Sequence, residues 1–186
     1  GTALPVVGSS FGSAVDVEYY NPTPNDPSAA RYTIVVGAPG EDAGKGEVYI
    51  YQTTSNSLTA FAAASNIYGQ TTGGGADRYG LAVAVSQGRI IVGAPNHDAS
   101  TDAGVFFYEK ADNVWTALNT NNPAANGVNV LTFTAASYDG AGTDRFGRGV
   151  AFSNGNNIAA GAPLFAADDR GAVAFFYART PVAVND

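Results

Sequence analysis

The chain has 186 residues, 45% of them apolar and 13% charged, and a net charge of −7. That length can bury a core of one domain or two small ones, and the acidic balance argues against a polyanionic partner such as nucleic acid. Cysteine is absent, which excludes thiol catalysis, disulfides and thiolate metal sites, and no apolar run approaches the roughly 18 residues of a membrane span.

In chain order, "TALPVVG" from Thr2 is apolar and suited to a strand. Phe11-Gly12 then opens a segment that runs, after the polar insertion "NPTPNDPSAARY", to Gly37-Ala38-Pro39. "GEVYIY" from Gly46 and "LTAFAAAS" from Leu58 read as two further strands, and the Gly-rich "GQTTGGGADR" leads to Tyr79-Gly80. There the pattern restarts. "LAVAV" and "IIVGAP" flank Gln87-Gly88, and "GVFFY" from Gly104 and "VLTFTAAS" from Val130 follow. A third copy opens at Phe146-Gly147, places Asn154-Gly155 between "GVAFS" and "NIAAGAP", and continues into "GAVAFFY" from Gly171. X-Gly between two apolar runs predicts a two-residue hairpin, because a type I′ turn needs positive φ at both central residues.

Three landmarks recurring three times in order mark an internal repeat. Helical periodicity is lacking beyond a turn, so the expected class is all-β. Four short antiparallel strands per copy predict the blades of a β-propeller. "IIVGAP", "AVAV" and "GVFFY" are apolar at successive positions, so both faces of these sheets should be covered. The expected boundaries are 11–69, 79–138 and 146–179, with residues 1–8 as a fourth strand closing a last blade and 180–186 as a linker-like tail.

Phe-Gly, then Gly-Ala-Pro, then Gly-x-Val-Tyr-x-Tyr resembles the FG-GAP repeat of integrin α-chain propellers and of secreted microbial surface proteins. The likeness covers nearly the whole chain and departs most in the first copy, with its insertion before Gly-Ala-Pro. Family propellers commonly have seven blades, whereas three copies stand here. Each flat face of such a sheet is about 300 Å2, and two apolar faces would stay open, which a soluble monomer seldom shows. The ring is therefore expected to be completed by a second chain, as a homodimer of six blades, or by further sequence of a larger protein.

The loops after the Gly-Ala-Pro strands and the connections between copies share one end of the blades. They gather Glu41, Asp42, Asp77, Asp98, Asp102, Asp144, Asp168 and Asp169, with His97 in "NHDASTDAG". An acidic rim of this kind suits a cation or a basic partner, or is a solvated surface whose Asp side chains cap turns. The resemblance implies ligand binding at this same end. Trp115 is a candidate for stacking on a sugar, or else core. His97 is the single histidine, so no His cluster forms and no catalytic residue is assigned. Calcium-binding relatives carry Asp-x-Asp-x-Asp-Gly before Gly-Ala-Pro. Asn21, Thr23 and Asn25 stand at the alternate positions here, followed by Asp26, so the loop reads as a degenerate metal site with calcium as a possible ligand.

The expected function is a non-enzymatic, extracellular or cell-surface module for recognition or adhesion, whose rim loops contact a protein or a glycan. The rivals are a lectin with repeated sugar pockets between blades, and a structural assembly unit without a small ligand.

Overall fold

The computed structural model describes residues 5–53, 65–68, 77–96, 104–111, 114–117, 130–132, 145–154, 156–164 and 170–177. The fold is all-β. Sheet 1 has the order β1 (Ala14–Tyr20), β2 (Arg31–Ala38), β3 (Glu47–Gln52), β4 (Ser65–Tyr68). Sheet 2 has β5 (Ala82–Ser86), β6 (Arg89–Ala94), β7 (Gly104–Ala111) and β8 (Val114–Ala117), with β9 (Val130–Thr132) also paired to β7. Sheet 3 has β10 (Gly149–Ser153), β11 (Asn157–Ala162) and β12 (Ala172–Tyr177). The described strands pair antiparallel, so each copy contributes the same three-strand meander.

The hairpins form where the local chemistry demands them. Gln87 and Gly88 have φ of 51° and 71°, the type I′ geometry, and they bring Ser86 opposite Arg89. Asn154 repeats the left-handed value, at 51°. This turn twists with the same hand as the strands it joins.

The fourth strands are described in part. In sheet 1, β4 pairs with β3 from Ser65, the last residue of the strand expected from Leu58, and Ile67 stands opposite Val48. Residues 58–64 lie outside the described residues. In sheet 2 the strand expected at Val130 is β9, opposite Gly104–Phe106, while β8 takes the other half of the same β7 edge, opposite Tyr108–Ala111. Two short segments thus share one edge. Where the N-terminal strand is expected, Val6–Ser9 forms a turn in which Ser9 N donates to Val6 O; residues 1–4 lie outside the described residues, as do 178–186.

The repeated dipeptides are held the same way in every copy. Gly12, Gly80 and Gly147 donate their N–H to Gly37, Gly93 and Gly161, at 3.0, 3.1 and 3.0 Å. The residue before each aromatic, Ser10, Arg78 or Arg145, is left-handed, with φ of 56°, 54° and 52°. That kink lays the ring back over its own sheet. Phe11 meets Tyr49 edge-on at 5.3 Å, Tyr79 meets Phe106 at 5.2 Å, and Phe146 meets Phe176 at 6.0 Å.

The sheets stack, with sheet 2 in the middle. Val35, Val48 and Ile50 of sheet 1 pack on Val83, Val85, Ile90, Val92 and Phe106 of sheet 2, with Tyr79 among them. On the opposite face, Ala84, Ile91, Val105 and Phe107 pack on Ile158, Ala160 and Phe146 of the third copy. Both faces of sheet 2 are covered, as its unbroken apolar runs require. The closest approach is backbone on backbone. A Cβ at Gly37 would lie 1.9 Å from Gly80 O, and one at Gly93 would lie 1.9 Å from Gly147 O. The contact positions must therefore be glycine. The outer faces are open: Val15, Val17 and Tyr19 on sheet 1 and Val173 and Phe175 on sheet 3 are more than half exposed.

Candidate binding rim

The three Gly-Ala-Pro strands run to one end of the stack, because Gly80 sits on Gly37 and Gly147 on Gly93 in the same sense. The first of the loops that follow them, 39–46, leaves at that end; 97–103 and 165–169 of the other two lie outside the described residues.

The first loop is described throughout. Asp42, Ala43, Gly44 and Gly46 all have positive φ, from 45° to 92°. The turn at Glu41–Gly44 is closed by Gly46 N donating to Glu41 O at 3.0 Å. Its two carboxylates part company. Asp42 is exposed and paired with Lys45 Nζ at 2.8 Å, a surface pair that contributes little to stability. Glu41 is turned inward, only 9% exposed, and its Oε2 accepts from Val6 N at 3.4 Å. It anchors the N-terminal turn rather than facing solvent.

Asp77 is likewise buried, at 3% exposure. Its carbonyl accepts from Asn96 N at 3.2 Å, and Gly40 N donates to Ser9 O at 2.8 Å in the copy before. Ser9 and Asp77 therefore occupy one repeat position, which ties the start of a copy to the residue just past its Gly-Ala-Pro. Arg78 N and Tyr79 N then donate to Gly44 O and Lys45 O, both at 3.0 Å, fastening the second copy to the first loop. These residues brace the rim. Within the described residues, Asp42 is the acid from the expected set that faces solvent. His97, Asp98, Asp102, Asp144, Asp168 and Asp169 lie outside the described residues; Trp115 lies on β8 opposite Lys110.

The insertion before β2 uses its oxygens internally. Asn21 Oδ1 accepts from Thr23 N at 2.9 Å and Asn21 Nδ2 donates to Asp26 O at 3.2 Å. Asp26 caps the 3-10 turn Pro27–Ala29: its Oδ1 accepts from Ser28 N at 2.9 Å and from Ser28 Oγ at 2.6 Å. The Ser28 hydroxyl, more than any other neighbour, lowers the Asp26 carboxyl below its usual range. Arg31 Nη1 donates to Ser28 O and Ala30 O. A guanidinium thus holds carbonyls of the kind a bound cation would need. Asn25 is exposed beside this turn.

Sequence reasoning missed two polar groups between sheets. Asp16 Oδ2 accepts from Val85 N at 2.8 Å, and Glu18 Oε1 from Gly88 N at 2.7 Å. β5 is an edge strand of sheet 2, and β1 supplies acceptors to donors that β6 does not reach. The signal was present in "VDVEY", where the acids alternate with Val15 and Val17 and so share the opposite face. Burial raises the Glu18 carboxyl above the ordinary 4.5; hydrogen bonds from Gly88 and Gln87 oppose this, and the Asp16 charge adds to it. The second group is a hydroxyl pair, Tyr79 Oη donating to Tyr108 Oη at 2.6 Å. Burial pushes Tyr79 well up and Tyr108 up to about 12. Burial, with the charges of Glu47 and Glu41, likewise pushes Tyr49 up to about 12. These phenols remain protonated at neutral pH; Tyr79 Oη donates to Tyr108, and Tyr49 Oη donates to Glu47 Oε2 at 3.3 Å.

No protein-family model and no curated protein matches this sequence.

Proposed function

We propose that the chain is a non-enzymatic recognition or adhesion module of the extracellular space or cell surface. It is built from FG-GAP-like propeller blades and binds a protein or glycan through the loops of one rim. The alignment of the three Gly-Ala-Pro strand ends carries this reading: the three strands end on one side of the stack. Contacts between the sheets fall on their first and second strands, β1 on β5 and β5 on β10, as expected for sheets fanned about a common centre. The family resemblance of the repeated motifs supports the extracellular setting. Ordered backbone at the strand ends lowers the entropy lost on binding, and the acidic loops bias the rim toward basic or hydroxyl-rich partners.

The test is binding of the immobilised chain to a glycan array and a panel of extracellular-matrix proteins. Asp42→Ala, Asp98→Ala and Asp168→Ala should weaken any binding found. A partner whose affinity is untouched by these changes, yet moved by substitutions at Gln87 and Asn154 on the opposite end, would refute the rim.

A further inference from the structure

Two positions in the stack show how one copy receives the next. On sheet 1 the receiving group is Gly37, Gly46 and Val48: a Cβ at Gly46 would lie 2.1 Å from Tyr79 O, and the Val48 side chain closes on Gly80. On sheet 2, Gly93 and Val105 receive Gly147 in the same manner. By strand register the matching group on sheet 3 is Gly161, Gly171 and Val173, since Ala38, Ala94 and Ala162 face Glu47, Gly104 and Ala172.

Among the described residues that third seat is empty. A Cβ at Gly161 would find only Gly149 O among them, at 3.8 Å, and Val173 is 61% exposed. An open groove of about 770 Å3 lies there, lined by Gly149, Gly161, Gly171 and Val173 among others. Phe175, 81% exposed, borders a second groove farther along the same sheet. At the other end of the stack the inserting group is equally unused. Ser10-Phe11-Gly12 has the backbone of Arg78-Tyr79-Gly80, with φ of 56° and 91° at its first and last residues. Yet a Cβ on Gly12 would meet no described atom within 4 Å.

We infer that the Phe11-Gly12 turn of a second copy of this chain docks in the Gly161–Gly171–Val173 seat, so that copies associate head to tail. The two surfaces match because this chain already makes the same contact twice. Val15, Val17 and Tyr19 would then cover Val173 and Phe175, burying the largest exposed apolar side chains of both outer sheets. If two copies close on each other, two such contacts bury about 1,200 Å2 of surface, the lower bound for a specific interface. Rotation that closes the arc gives a ring rather than a filament. The inference is independent of what the rim loops bind.

Sedimentation equilibrium or native mass spectrometry of the intact chain tests it. The chain should have the mass of two copies. Gly161→Val should return it to one, because the added side chain blocks the seat, while its Cβ would lie no nearer than 3.8 Å to any described atom beyond its chain neighbours. Phe175→Glu should do the same, and both variants should keep the β-sheet circular dichroism of the parent. Gly149→Ala is the control: alanine already stands at the equivalent positions Ala14 and Ala82, so the doubled mass should persist. A single-chain mass for the parent across micromolar concentrations would overturn the inference, as would a doubled mass that survives Gly161→Val and Phe175→Glu.

Discussion

Alanine at Gly93 should unfold the contact between sheets 2 and 3. The new Cβ would stand 1.9 Å from Gly147 O and 2.9 Å from Gly147 C, at least 1.5 Å short of ordinary contact with that oxygen. The oxygen cannot swing away, because it is backbone: Gly147 N is bonded to Gly161 O at 3.0 Å, and Phe146 beside it is 1% exposed. Relief requires sheet 3 to shift, loosening Ile158 and Ala160 from Ile91 and Phe107. Overpacking of this kind costs about 3 kcal/mol, the upper part of the usual range. For a chain of this size that lowers Tm by about 6–12 °C. Gly149→Ala makes the same chemical change on a strand of the third sheet but meets no described atom within 4 Å, so it should stay within about 0.5 kcal/mol of the parent. Thermal and urea melts followed by circular dichroism compare the two. Equal melting temperatures for the two variants would refute the close-approach reasoning, since only the distance to the neighbouring sheet separates them.

The raised Glu18 carboxyl makes a pH prediction: its contribution to stability is greatest below the ordinary 4.5 and is lost as pH rises through the raised folded value. Glu18→Gln should therefore flatten the fall in urea-melt stability as pH rises above the ordinary 4.5, and an unchanged slope would count against the burial of that group. For the hydroxyl pair, Tyr108→Phe strands the buried Tyr79 hydroxyl and should cost about 1–3 kcal/mol. The double change to Phe should cost less than the two single changes together; strict additivity would show that the 2.6 Å bond carries no coupling. Calcium at millimolar concentration should give neither heat in titration calorimetry nor a thermal shift, because Asp26 and Asn21 serve the loop's own donors. A saturable heat that disappears in Asp26→Ala would show that the insertion binds the ion.

What was legible in the sequence was local. Gln87-Gly88 specifies its turn through backbone φ alone, and unbroken apolar runs such as "IIVGAP" signal a sheet covered on both sides whatever its neighbours are. The threefold recurrence of Phe/Tyr-Gly and Gly-Ala-Pro likewise shows in one dimension. Other features depend on atoms about 70 residues apart, and only the tertiary structure decided them. Asp16 meets Val85, and Glu18 meets Gly88. Glu41 and Asp77 look like surface acids beside Asp42, yet they are turned inward because the N-terminal turn and the next copy pack over them. The pairing beside β3 runs on through Tyr68, past the Ser65 at which the apolar run from Leu58 ends, because pairing is settled by the free edge a segment can reach, not by its apolar content alone. Gly37, Gly93 and Gly161 read identically in sequence. Two are filled by the following copy and one stands open, a difference that exists only where the sheets meet.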